Sequence, residues 1–145
     1  MVISLGKLGF HSVWAPACQD SIPGGHAGVG VVSLGGAPLA LPSFVTLEFR
    51  EFFRLGRVLR TTLPTGKGGV VHLFVVYGYQ GADEDAENLR LTDSLLQAVL
   101  VEAQIVCIGQ PMLIAGDLNA DPAVIPCLAK GIAAGRFVDL ALILL

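Results

Sequence analysis

Asp117, Asn119 and Asp121 close the stretch Met112-Leu-Ile-Ala-Gly-Asp-Leu-Asn-Ala-Asp-Pro122, where an apolar run fit for a buried strand ends abruptly in acids and an amide. Residues two apart in an extended chain share a face. Leu113, Ala115, Asp117 and Asn119 therefore line one side, an oily stem for a core with a carboxylate and a side-chain amide at its mouth. Such a mouth suits a hard cation, which prefers oxygen ligands, together with a phosphate. Asp and Asn also serve strand-to-helix turns, where they cap helices and bond their own backbone. On local chemistry alone that second reading is slightly the stronger.

The elements that must position these residues are legible from Gly56 onward. Arg57 to Leu63 and Val70 to Tyr77 are apolar, β-branched runs joined by Pro64-Thr-Gly-Lys-Gly-Gly69, which suits an antiparallel hairpin. Val70–Tyr77 is apolar on both faces except at His72, so it is expected to be central and covered on both sides. Gly81-Ala-Asp-Glu-Asp-Ala-Glu87 opens a helix with acids at its positive end. Leu89, Leu95, Leu96, Val99, Leu100 and Ala103 follow near a 3.6-residue period, with Thr92 the polar member of the stripe. Ile105–Ile108 and Met112–Gly116 are short apolar segments around Gly109-Gln-Pro111, the second being the better strand. A further helix starts at Pro126 and runs to about Ala134, with Gly135 as its stop. Upstream, Val29 to Leu34 reads as a short strand and Gly35 to Ser43 as a loop. Phe44 to Phe53 fits neither period. Hairpin-connected strands among helices argue against a purely parallel sheet.

Composition narrows the function classes. The chain of 145 residues is 53% apolar and 14% charged, with a mean hydropathy of +0.69. No apolar run approaches the roughly 18–20 residues needed to cross a bilayer. Met1-Val-Ile-Ser-Leu-Gly-Lys7 lacks the order of a secretion signal. High apolar content then points to a sheet buried on two sides, or to a piece cut from a larger protein. The net charge of −3 gives no global pull toward nucleic acid. Cys18, Cys107 and Cys127 are too far apart for a metal knuckle or a disulfide framework, so a reducing, intracellular setting is the expectation. Gly28-Val-Gly-Val-Val-Ser33 lacks the third glycine of a dinucleotide loop, and Gly68 stands where a phosphate loop has Ser or Thr after Lys67. His26 and His72 read as structural histidines. Arg50, Arg54, Arg57, Arg60 and Lys67 form a basic stretch that a polyanion could meet, although a solvated strand face explains it better.

The order Val75-Val-Tyr-Gly-Tyr-Gln-Gly81, acidic-start helix, Leu113-Ile-Ala-Gly-Asp-Leu-Asn119 resembles the endonuclease/exonuclease/phosphatase superfamily, whose members include deoxyribonuclease I-like, abasic-site and retrotransposon endonucleases. In that family a strand ends in Tyr-x-x-Asn, a helix follows, and the next strand ends in Gly-Asp-x-Asn. Tyr77 matches the tyrosine, Gln80 stands at the asparagine position, and Gly116-Asp-Leu-Asn119 matches the second motif fully. The resemblance implies an α+β fold, a partial four-layer α/β/β/α sandwich of mixed, mostly antiparallel sheets with flanking helices. It would occupy residues 24–145, after an N-terminal segment 1–23 of unassigned structure. It implies a phosphodiesterase of endonuclease type that uses Mg²⁺ (or Mn²⁺). Asp117 would act on the attacking water, Asn119 would fix that water or the phosphate, and Tyr77 would donate to a phosphate oxygen. Gln80 would serve as a longer substrate-binding amide. Nucleic acid is the first partner implied, ahead of a phosphorylated small molecule or a lipid head group. Tyr77 and Asn119 are then expected at one end of the sandwich.

The family's metal-binding glutamate on an early strand has no counterpart between Met1 and Gly24, where Asp20 is the only acid, so the metal ligands stay unassigned. Its closing Asp-His pair has no match before Leu145 either, and Asp139 resembles a structural aspartate of the family. The expectation is therefore a fragment of such a domain with weak or no activity. The alternatives are a non-catalytic remnant, or a small α/β binding module whose Gly-Asp-Leu-Asn turn only caps a helix.

Overall fold

The centre of the fold is the hairpin expected at residues 57–77. In the computed structural model, which describes residues 10–15, 27–33, 38–66, 68–140 and 143, β3 (Val58–Pro64) pairs antiparallel with β4 (Val70–Tyr77). The turn closes by Thr65 N–H donating to the Gly69 carbonyl at 2.8 Å. The strand β5 (Met112–Asp117) then adds to β4 in parallel, so β4 is central in a mixed sheet ordered β3-β4-β5. Ahead of this sheet, β1 (His11–Ala15) and β2 (Val29–Ser33) form an antiparallel pair of their own. β1 lies within residues 1–23, where the sequence carries no strand signal strong enough to read. His11 and Ser12 occupy two of its five positions and blur the apolar alternation.

The helices are α1 (Leu47–Arg54), α2 (Ala86–Val106) and α3 (Pro126–Ala133). Their apolar faces share one cluster with the sheet: Phe49, Leu95, Leu96, Val99 and Leu128 pack with Val58, Phe74 and Val76. On the other sheet face, Leu59 packs with Val13, Ala15 and Val29 of the β1–β2 pair. The alternation of β4 produces both contacts, since His72, Phe74 and Val76 point toward the helices while Val75 and Tyr77 point toward β1–β2. Helices, mixed sheet and two-stranded sheet thus stack as a partial α/β sandwich, the α+β architecture expected. No helix among the described residues is long and apolar enough to cross a membrane.

Local sequence explains each helix boundary. The ambiguous Phe44–Phe53 segment becomes α1 because Thr46 caps it, accepting from Phe49 N–H at 3.4 Å. A fully buried carboxylate, Glu102 of α2, accepts from Val45 N–H, Thr46 N–H and Thr46 Oγ1, each at 2.8 Å, and so ties α1 down. α2 starts at the expected acidic turn, with Asp85 accepting from the N–H groups of Glu87 and Asn88. Its apolar stripe continues to Val106, and Ile105 and Val106 end the helix rather than form a segment of their own. α3 has Pro126 in its first turn and Gly135 in a left-handed conformation just past its end.

β5 departs from the expected arrangement. Its oily stem was expected on the Leu113–Ala115 side, but both residues are exposed, and Met112 and Ile114 pack toward the helices instead. The β1–β2 pair covers β3 and β4 on that other face and contributes no core residue against β5. Among the described residues β5 is an edge strand.

Candidate functional site

The C-terminal ends of β4 and β5 lie side by side. Tyr77 and Asp117 are direct partners in the parallel register, and Gly78 N–H donates to the Asp117 carbonyl at 2.7 Å. Tyr77 N–H donates in turn to the carbonyl of Arg57, just ahead of β3, at 2.8 Å. A cation, a phenol and a carboxylate therefore stand in a row across three strand ends. Tyr77 is half-buried and Asp117 is exposed.

Two glycines make this approach possible. A Cβ at Gly78 would lie 2.1 Å from the Leu118 carbonyl oxygen, and one at Gly116 would lie 1.9 Å from that of Val76. Gly116 also has φ +137°, which L side chains rarely adopt. The glycine in Gly-Asp-x-Asn thus serves close backbone contact.

Past the strand end the chain turns sharply. Asp117 Oδ1 accepts from Asn119 N–H at 2.9 Å, an Asx turn. Asn119 takes a left-handed conformation, φ 54°, which Asn tolerates better than most residues. Its Nδ2 then reaches back to donate to the Gly78 carbonyl at 3.1 Å. The structure thereby brings Tyr77, Asp117 and Asn119 to one rim. The local reading of Asp117 as a backbone-bonding turn residue also holds, but this is no helix cap. The start of α3 is held by Asp93 of α2, whose Oδ1 accepts from Cys127 N–H at 2.8 Å. Asp121 only closes its own turn with Ala123 N–H.

Gln80 is not gathered into this group. Its side chain is exposed, and its carbonyl accepts from Asn88 Nδ2 at 3.1 Å in the turn that leads into α2.

Two residues of the rim were not among the expected site residues. Arg57 is half-buried, its guanidinium 5.1 Å from the Tyr77 ring centroid and 4.2 Å from that of Tyr79. Its Nη1 donates to the Gly78 carbonyl at 2.8 Å. Thr92, the polar member of the α2 stripe, is buried and accepts from Tyr79 N–H at 2.9 Å. A polar residue on an otherwise apolar helix face was the one available hint of that anchoring role.

The basic stretch does not form a patch. Arg54 pairs with Glu51 at 3.0 Å, and Arg50 sits over the Phe44 ring. Arg60 departs from the solvated-face reading. It is buried toward the helices and donates to the carbonyl and hydroxyl of Ser43. Lys67 and His26 lie outside the described residues. His72 is structural, its Nε2 within 2.6 Å of Gln110 Oε1.

Hollows of about 500 and 650 Å³ lie along β5, α3 and the 136–140 segment, walled by residues such as Met112, Leu128 and Phe137, and neither takes in Tyr77, Asp117 or Asn119. Volume there follows gaps in apolar packing, whereas the groups able to do chemistry converge on the rim. The rim is the candidate site.

No protein-family profile matches the chain. No curated protein sequence matches it either. Among solved structures, the catalytic domain of human Nocturnin, determined with a bound sulfate anion, is similar with a TM-score of 0.52 and 19% identity. The likeness is one of fold. It covers 90% of this chain and 49% of that one, so the chain spans about half the length of the domain it resembles.

Proposed function

We propose that this chain carries the rim of a phosphate-ester hydrolase of the endonuclease/exonuclease/phosphatase type, with nucleic acid as the first substrate class. The observation that carries the reading is the meeting of Tyr77, Asp117 and Asn119 at adjoining strand ends, joined through Gly78. The sequence motifs and the fold likeness to a catalytic domain support it from two sides.

In this reading the Asp117 oxygen left free by the Asx turn accepts a proton from water, and the Tyr77 hydroxyl donates to a phosphate oxygen. Gln80, on the turn beside the rim, would meet the substrate only at its periphery. A divalent cation, Mg²⁺ or Mn²⁺, belongs to the proposal, and when bound it supplies charge neutralisation at the phosphoryl oxygens. Asp117 offers it one carboxylate. Among the described residues no group of three His, Cys, Asp or Glu side chains converges, so Asp117 would be a single protein ligand and Mg²⁺ would need water and substrate phosphate for the rest. The same observation favours a second reading, a domain that binds phosphate esters at this rim without turning them over.

Nicking of supercoiled and abasic duplex DNA by the purified chain, with Mg²⁺, Mn²⁺ or chelator, tests the proposal. A slow, metal-dependent rate that falls roughly 10²–10⁴-fold in Asp117→Asn is expected. Nicking indifferent to that substitution would overturn it, and phosphate-ester binding with no turnover would establish the second reading.

A further inference from the structure

We propose that Arg57 is a positioning residue of the rim, fixing through the Gly78 carbonyl which atom Asn119 presents to the site. The chemical meaning rests on the hydrolase reading above, but the geometry does not depend on it.

A carbonyl oxygen only accepts hydrogen bonds, so the corner of the Asn119 amide that faces Gly78 must be its NH₂. The opposite corner, Oδ1, is thereby turned away from Gly78. With Asp117 Oδ1 engaged by Asn119 N–H, two acceptors remain for the site: the second Asp117 oxygen and Asn119 Oδ1. Such acceptors can take hydrogens from a water molecule, while the second N–H of Asn119 Nδ2 stays available as a donor.

Arg57 enters because the peptide group joining Gly78 to Tyr79 is held at both ends. Its N–H, on Tyr79, donates to buried Thr92 Oγ1 at 2.9 Å. Its oxygen accepts from Arg57 Nη1 at 2.8 Å and from Asn119 Nδ2 at 3.1 Å, which fills both lone pairs. The Arg57 bond is the shorter and carries charge, hence the stronger of the two. Packing against the Tyr77 and Tyr79 rings restrains the guanidinium itself. Removing it leaves that peptide held by side chains only through Thr92 at its N–H end and Asn119 itself, so the acceptor that orients Asn119 is less firmly fixed.

Solvent exchange of the Asn119 side-chain amide protons tests this in the ¹⁵N-labelled chain, the signal being assigned by its disappearance in Asn119→Asp. Arg57→Met, which keeps the apolar stem, is expected to speed that exchange by about tenfold, and Arg57→Lys to restore part of the protection. Should Arg57→Met fail to fold, Arg57→Gln takes its place. Exchange within twofold of the unsubstituted chain in a folded variant would overturn the proposal. A parallel assay on bis(p-nitrophenyl) phosphate should show Arg57→Met lowering kcat with KM little changed. An unsubstituted chain without Asp117-dependent hydrolysis would sink the hydrolase reading and leave the exchange result to decide the role of Arg57.

Discussion

Gly78 and Leu118 meet backbone to backbone, with room for a hydrogen and nothing larger: a Cβ on Gly78 would fall 2.1 Å from the Leu118 carbonyl oxygen. Gly116 stands in the same relation to Val76 at 1.9 Å. Gly81, by contrast, has positive φ but no neighbouring atom within 4 Å of its would-be Cβ. Gly81→Ala should therefore cost only its conformational strain, about 1 kcal/mol. Gly78→Ala and Gly116→Ala must push two strand ends apart and should cost roughly 2–4 kcal/mol. Urea midpoints of the three variants check the ranking, and equal shifts would refute it.

Asn119 combines a left-handed backbone with a bond to the Gly78 carbonyl, and its substitutions separate the two. Asn119→Gly loses only the bond and should be milder than Asn119→Ala, which adds about 1–2 kcal/mol of strain. In Asn119→Asp the protonated carboxyl can donate to Gly78 whereas the carboxylate cannot. The folded-state pKa is then raised, so stability is present below roughly pH 4 and is lost as pH rises through the carboxylate range. Thermal melts between pH 3 and 7 should show this variant losing ground to the unsubstituted chain as pH increases.

Glu102 holds the start of α1 by three hydrogen bonds from a site with no solvent exposure. Glu102→Ala strands three donors and should cost about 3 kcal/mol or more. Amide exchange should accelerate first at Val45–Phe49. Glu102→Gln should recover only part of the loss, because its NH₂ corner would face a donor.

Burial pushes the Cys127 thiol up from an ordinary 9.0 to about 12, with the hydrogen bond and charge of Asp93 acting in the same direction. The contribution to stability is full below about pH 9 and is lost as pH rises toward 12, since the unfolded chain ionises first. At pH 8 the folded chain should be alkylated at Cys127 far more slowly than the urea-unfolded chain. Asp93→Asn should speed the reaction, and equal rates in folded and unfolded chains would contradict the assignment.

The hairpin, α2 and α3 could be read from sequence because each is written locally, in turn residues, caps and a 3.6-residue stripe. So could the Tyr77 and Asp117–Asn119 rim, since a motif specifies both strand ends and the turn. What escaped depends on partners distant in the chain. Phe44–Phe53 looked ambiguous because the buried carboxylate that fastens it, Glu102, lies in α2. Arg57 and Arg60 look alike in sequence, yet one packs against two tyrosines and the other is buried against Ser43. Their side chains leave opposite faces of the chain, and only the layers above and below decide what each meets. The exposed face of Leu113 and Ala115 has the same origin, for an edge strand reads like a central one until its neighbours are known.

The rim's two halves reach each other by unequal routes. Arg57 and Tyr77–Gly78 are brought together by a tight hairpin, whereas Asp117 and Asn119 arrive only after the whole of α2 has been traversed. Closing the longer loop costs more chain entropy, so its contacts are expected to form later along the folding path. Weakening the Arg57 side should then slow refolding, while weakening the Asn119 side should mainly hasten unfolding. Stopped-flow rates on the two limbs would separate these cases. The carboxylate and amide of this rim would be the last of its groups in place and the first to leave.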